Sequence, residues 1–189
     1  MQQTVNGRAS IPLELASIYQ PIQRELDEVD GLLRRELKNR HASVDELVQH
    51  AFRLGGKRLR PVLLLMVGKA TGELTANHVT MAAVVEMIHT ATLVHDDILD
   101  GAEVRRHLPT IHAQWDTQSS VLVGDYLFTH AFYLASTTGD ASACRTIGAA
   151  TNVVCEGELR QVREQGNLAL TEEEYVTIVA AKTGALCAA

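Results

Sequence analysis

The chain has 189 residues, 46% of them hydrophobic and 21% charged, which is enough for one domain with a sizeable core. A net charge of -6, with no run of lysine or arginine, excludes the electrostatic footprint of a nucleic-acid binder. The longest unbroken apolar run, Val62 to Gly68, is too short to cross a bilayer, so no transmembrane segment is expected. The three cysteines, Cys144, Cys155 and Cys187, are odd in number and widely spaced. They indicate neither a disulfide framework nor a zinc site, and the expectation is buried reduced thiols in a cytoplasmic protein. The N-terminus has no charged region followed by an apolar one, so no secretory signal is expected.

Nearly every segment reads as helix. Ser10 is placed to cap a short helix with Pro12 in its first turn, and Pro21 kinks or restarts it. The next helix runs to about Asn39 with an apolar stripe of Ile22, Leu26, Val29, Leu33 and Leu37. Ser43 and Glu46 have the spacing of a capping box for a helix ending at Gly55-Gly56. Pro61 opens an apolar helix that stops near Gly72. Thr75 or Asn77 caps the next one, which meets no glycine or proline before Asp100. Val84, Val85, Ile88, Leu93 and Val94 make it apolar on most sides, so it belongs inside the domain. Gly101 ends it, and Thr110 caps a short helix through Trp115. Ser119 or Ser120 starts a helix ending near Gly139, and Asp140 caps a long one stopped by Gly166-Asn167. Thr171 and Glu174 form a second capping box for a last helix. No hairpin signal or alternating strand is visible, and the expected architecture is an all-α helical bundle. The chain stops in TIVAAKTGALCAA, inside a helix without a stop signal, which reads as a truncation.

The chemistry concentrates in EMIHTATLVHDDILDGAEVRRH. Asp96 and Asp100 are four apart, so on a helix their carboxylates share one face. With Asp97 they crowd the negative end of the helix dipole, a conflict a divalent cation removes. Mg²⁺ suits such a site, because it keeps waters and shares itself with substrate phosphates. Arg105 and Arg106 supply forked donors for phosphate. A solvated, salt-bridged helix end has the same composition. GGKRLRP, residues 55–61, brings Lys57, Arg58 and Arg60 to a helix N-terminus, which is an anion site or a plain C-cap followed by solvated cations. His89 lies two turns before Asp96 on nearly the same face. Thr90 and Thr92 are equally compatible with bonding their own backbone. Glu158, Gln161 and the pair Lys182-Thr183 are polar positions in later helices, and a buried Lys182 would need a partner such as phosphate.

Taken in order, GGKRLRP, HTATLVHDDILDGAEVRRHLPT, LVGDYLF, GELRQ and KTG resemble the trans-isoprenyl diphosphate synthase family, with HDDILD similar to its first DDxxD motif. The resemblance runs from about Ser43 to the end and implies an isoprenoid-synthase-type helical bundle around a central cavity. Residues 1–189 would form a single helical domain, with the C-terminal helices and the second aspartate-rich motif missing.

It also implies a Mg²⁺-dependent prenyltransferase, a homodimer, that condenses an allylic diphosphate with isopentenyl diphosphate. Asp96 and Asp100 would bind the metal, with Asp97 in support. Arg105, Lys182 and Thr183 would hold the allylic diphosphate. Lys57, Arg60, His89 and Arg106 would hold isopentenyl diphosphate, and Gln161 would face the reacting end. The small Ala91 and Thr92, five and four positions before Asp96, imply a long, octaprenyl-type product. As a fragment, the chain alone is expected to be inactive. The alternatives are a non-catalytic fragment or subunit of such a synthase, or a class I terpene cyclase; GGKRLRP and the arginine pair favour the synthase, since a cyclase needs no second-substrate site.

Overall fold

The computed structural model describes residues 17–54 and 56–189, so the expected Ser10 cap, the Pro12 turn and Gly55 lie outside the described residues. The chain divides into two compact units, Met1–Thr138 and Gly139–Ala189.

In the first unit a 3₁₀ turn, Gln20–Ile22, forms around Pro21. Helix α1, Gln23–Glu36, follows. All five residues of its expected stripe, Ile22, Leu26, Val29, Leu33 and Leu37, are buried, as a 3.6-residue period requires. Helix α2 covers Ala42–Arg53 and is led by His41 rather than by the expected Ser43–Glu46 box. The Asp45 carboxylate accepts the Asn39 amide at 2.9 Å instead, closing the preceding loop and starting the helix earlier. Helix α3, Leu59–Thr71, carries Pro61 in its first turn and ends at Gly72.

Helix α4, Ala76–Leu99, is the long apolar one. Its N-terminus is set by Thr75, whose amide donates to His78 Nδ1 at 3.1 Å. Gly101, with φ 61°, turns the chain away at its end. Val84, Met87, Ile88 and Ala91 are fully buried. Each large side chain among them contributes about 1.5–3 kcal/mol by leaving water, so the centre of this unit's core is α4 itself.

The segment after α4 departs from the sequence reading. Val104–Arg105 (β1) pairs antiparallel with Leu108–Pro109 (β2). The two-residue turn between them, Arg106-His107, has φ of 51° and 68°, the left-handed pair that suits a tight hairpin. The usual glycine, asparagine or aspartate signature is absent, so tertiary contacts hold the turn. His50 Nε2 lies 2.8 Å from the Pro109 carbonyl, and His112 Nε2 and Thr110 Oγ1 each lie 2.8 Å from the Ala102 carbonyl. Thr110 caps α5, Ile111–Gln114, as expected. Helix α6, Thr117–Ser136, is capped by Asp116, which accepts from the Ser119 amide at 2.6 Å, and not by a serine.

The second unit starts where Asp140 accepts the Ser142 and Ala143 amides at 2.8 and 3.2 Å, capping α7, Ala141–Arg163. The Thr171–Glu174 box forms and leads α8, Glu172–Val179. A π-helical segment, Ala180–Gly184, then runs into α9, Ala185–Ala188. The cysteines correct an expectation: Cys144 is half-buried, while Cys155 and Cys187 are exposed. The inward face of α7 is Ile147, Ala150, Thr151, Val154 and Gly157, and Cys155 stands about 100° round the helix from Val154.

Candidate functional site

A cavity of about 810 Å³ lies beside α4 in the first unit, lined by Lys57, Arg58, Arg60, Glu86, His89 and Arg106 together with Gly56 and His107. It gathers the four residues expected to hold one diphosphate, Lys57, Arg60, His89 and Arg106. Among the described residues, the non-glycine positions with positive φ are Arg58, Arg106 and His107, and all three line it. Each left-handed residue costs roughly 1–2 kcal/mol, and such conformations persist where a ligand site over-determines them.

Each wall has a local cause. On the first, Arg58, with φ 55°, turns its side chain inward. Its Nη1 donates to Glu86 Oε1 at 2.6 Å, its Nε donates to Asp30 Oδ1 at 3.3 Å, and Cζ sits 5.7 Å from the Phe52 ring centroid. One of the three cations of GGKRLRP is therefore spent inside the fold, leaving Lys57 and Arg60 to the cavity. Arg60 Nε is buried without a hydrogen-bond partner. A stranded donor costs about 1–3 kcal/mol, so this atom asks for an acceptor. On the second wall, Arg106 lies against the Gly56 backbone: a Cβ on Gly56 would stand 2.5 Å from its Nη1. His89 sits between them. Burial, and then the charges of Arg60, Arg106, Arg105 and Arg58, push its pKa down to about 3. The imidazole is thus neutral in a strongly positive field, the condition an anion relieves.

The carboxylates close α4. Asp96 is half-buried and Asp100, the C-cap residue, is exposed. The Asp100 amide donates to the Asp96 carbonyl at 2.8 Å, so the two residues are one helical turn apart on one face, as the spacing requires. Asp97 points elsewhere: it is 2% exposed and its Oδ1 accepts from Arg105 Nε at 2.8 Å. Burial raises its pKa against the opposing pull of Arg105. Arg105 is therefore anchored through Nε, and its terminal nitrogens are the part of the fork left for a ligand. Among the described residues no three histidine, cysteine, aspartate or glutamate side chains group to hold a metal. Asp96 and Asp100 on one helix face are the residues that would hold Mg²⁺, a cation that needs one or two protein carboxylates, and they do not make a closed zinc or calcium cage.

Other candidates take ordinary roles. Thr90 Oγ1 donates to the Glu86 carbonyl and Thr92 Oγ1 to the His89 carbonyl, both at 2.8 Å, so each bonds its own helix. In the second unit, Lys182 Nζ donates to Glu158 Oε2 at 2.8 Å, so a carboxylate stands where the sequence reading offered phosphate. Thr183 beside it is exposed, and Gln161 is half-buried. Sequence reasoning grouped Arg58 with the other two cations and passed over its partner Glu86. The available signal was Glu86 itself, an acid in the run Val84-Val85-Glu86-Met87-Ile88 that could be buried only with a cationic partner.

Residues 41–189 match the polyprenyl synthetase family. The chain belongs to that family. It is 33% identical over 174 residues to the octaprenyl diphosphate synthase of Escherichia coli, covering 92% of this chain and 54% of that protein. A crystal structure of a decaprenyl diphosphate synthase from Rhodobacter capsulatus superposes with a TM-score of 0.86 at 41% identity, over 90% of this chain and 53% of that one. A polyprenyl synthase from Caulobacter crescentus, complexed with calcium and isoprenyl diphosphate, gives 0.85 at 35% identity, over 89% of this chain and 51% of that one. The all-α isoprenoid-synthase fold is thereby established for this polyprenyl synthetase chain, which spans about half the length of these relatives.

Proposed function

We propose that this chain serves a prenyltransferase that joins isopentenyl diphosphate head to tail to an allylic diphosphate and yields a long-chain polyprenyl diphosphate. The carrying observation is the cavity in which Lys57, Arg60, Arg106 and a neutral His89 converge, with a buried Arg60 donor lacking a partner. These four bind the isopentenyl diphosphate. Asp96 and Asp100 would hold Mg²⁺ for the allylic diphosphate, which Arg105 would also bind, and Lys182 and Thr183 are the diphosphate-binding residues proposed for the second unit. Bound Mg²⁺ supplies Lewis-acid stabilisation of the charge on the leaving diphosphate. The fixed guanidiniums add to that stabilisation without reorganising, and the apolar flank of α4 keeps water from the reacting carbons.

Two finer readings belong to the same proposal. Ala91 and Thr92 leave the α4 wall without bulk, which supports a long product. Ala91 is fully buried and Thr92 half-buried, so of the two Thr92 is the position where bulk would narrow the path. A homodimer in the cytoplasm is the proposed setting. Helix α6 leaves Leu122 and Tyr133 at 59% and 61% exposure, apolar area that a second copy covers. No described helix is long and apolar enough to cross a membrane. Taken alone, the 189 residues should bind diphosphate and turn over little substrate, since among the described residues Asp96 and Asp100 are not joined by a third acid, histidine or cysteine in a metal-holding group.

The test is a calorimetric titration of this chain with inorganic pyrophosphate, with and without Mg²⁺. Binding is expected, and Arg60→Gln should weaken it by about 1.5–3 kcal/mol, the worth of a hydrogen bond to a charged group. Asp96→Asn with Asp100→Asn should remove the strengthening by Mg²⁺ while sparing metal-free binding. Pyrophosphate binding indifferent to Arg60, or a Mg²⁺ effect indifferent to both aspartates, overturns the assignment.

A further inference from the structure

We infer that Arg58 and Glu86 are positioning residues of the anion cavity: their ion pair fixes residues 56–60 to α4 so that Lys57 and Arg60 stand beside His89. The inference rests on reading the cavity as a diphosphate site.

Three observations carry it. The guanidinium of Arg58 is already divided between Glu86 and Asp30, with side-chain exposures of 11%, 4% and 12%, so it has little left for a ligand. Arg58 is also the N-cap of α3, in a left-handed conformation, and its carbonyl accepts the Val62 amide at 3.0 Å. Whatever fixes Arg58 therefore fixes the start of α3, with Lys57 just before it and Arg60 in its first turn. Finally, Glu86 precedes His89 by three residues on α4, close to one helical turn, so the same tie registers the cationic segment against the histidine.

The sign of the electrostatics separates this role from the alternatives. Glu86 puts a buried carboxylate in the lining of a cavity built for an anion. By Coulomb's law alone, removing that charge strengthens anion binding and frees Arg58 to join the ligand. If the pair positions its neighbours, removing it weakens binding, because Lys57 and Arg60 lose their register. Buried ion pairs commonly add little net stability, so a geometric role is the better account of its retention here.

The experiment is pyrophosphate titration of the 189-residue chain carrying Glu86→Gln, with thermal melts confirming that the protein titrated is folded. Affinity is expected to fall roughly ten- to a hundredfold, by analogy with the cost of losing an outer-shell group that orients a metal ligand. Unchanged or tighter binding overturns the inference. Glu86→Asp keeps the charge and shortens the arm: positioning predicts weaker binding, whereas wild-type affinity would mean the charge alone matters and would overturn it. In Arg58→Gln combined with Glu86→Gln, the loss should equal that of one single variant, since both break one tie; additive losses count against it. A wild-type chain that fails to bind pyrophosphate removes the diphosphate reading and this inference with it, whereas wild-type binding with insensitivity to Glu86 removes only the inference.

Discussion

The cationic segment at residues 56–60 and the π-helical segment at residues 180–184 each present lysine or arginine, yet they treat the charge in opposite ways. In the first unit Arg58 takes up the available carboxylates, Glu86 and Asp30, and Lys57 and Arg60 are left in a cavity with an unpartnered buried donor. In the second unit Lys182 is paired with Glu158 at 2.8 Å. The first arrangement is preorganised for an anion; its strain, in three left-handed residues, is already present in the fold. The second holds a resident counter-charge that an incoming phosphate must outcompete. The difference teaches that a cation in a motif is poised for a ligand only when the fold has found another use for the nearby acids.

Two glycines turn this contrast into measurements. Gly157 on α7 faces the π segment so closely that a Cβ would stand 2.7 Å from the Lys182 backbone nitrogen and 2.9 Å from Ala181 Cβ. Alanine is the better helix former by up to about 1 kcal/mol, which favours the substitution. Backbone, however, cannot swing aside, and overpacking of this kind costs roughly 1–3 kcal/mol or more. The clash should win, and Gly157→Ala should destabilise the chain by about 2 kcal/mol, read as a lower melting temperature. A melting temperature equal to or above wild type would mean that the π segment is not packed on α7 as described.

Gly56→Ala is the counterpart, with a similar clash and a different victim. Its Cβ would stand 2.5 Å from a guanidinium nitrogen of Arg106, the far end of a flexible side chain. Arg106 can rotate away at little cost, and a non-helical Gly→Ala change gains about 0.4–1 kcal/mol by restricting the unfolded chain. Stability should hold. Pyrophosphate affinity should drop by roughly tenfold, about 1.4 kcal/mol, because the displaced arginine no longer reaches the ligand. Lost stability with intact binding would reverse the reading of both glycines.

Much of the fold was legible because it rests on local periodicity. The stripe from Ile22 to Leu37, the apolar length of α4, the Asp140 cap and the Thr171–Glu174 box all follow from spacing. What escaped depends on contacts distant in sequence. Arg106-His107 makes a hairpin turn without turn residues because His50 and His112 hold its flanks. Arg58 faces inward because Glu86 and Asp30, each 28 positions away in the chain, meet it there. Among the site candidates, spacing put Asp96 and Asp100 on one face, yet nothing local told that Asp97 would turn to Arg105 or Lys182 to Glu158. The order of motifs, not any single one, brought Lys57, Arg60, His89 and Arg106 into one list.

The subtlest effect is a change in one histidine's titration. Burial and four guanidiniums depress the pKa of His89 to about 3, below its ordinary value of 6.5. The folded state therefore binds fewer protons than the unfolded state between those values. Stability from the neutral imidazole is fully present above about pH 6.5 and is lost as pH falls toward 3. At neutral pH the ring is uncharged with or without modest acidification, so the consequence is visible only by following the ring itself. Its NMR resonances should show no titration between pH 8 and 5 in the free chain. Pyrophosphate would reverse part of the depression by neutralising Arg60 and Arg106, so in its presence the titration should move up and begin within that range. Arg60→Gln should move it up in the free chain as well, by a smaller amount, because burial, the largest cause, remains. A free-chain titration near 6.5 would show that His89 is not enclosed by these arginines. An upward move absent on adding pyrophosphate to a chain that binds it would place the anion away from His89, and would leave Lys57 and Arg60 without the neighbour that makes this cavity differ from the Lys182 site.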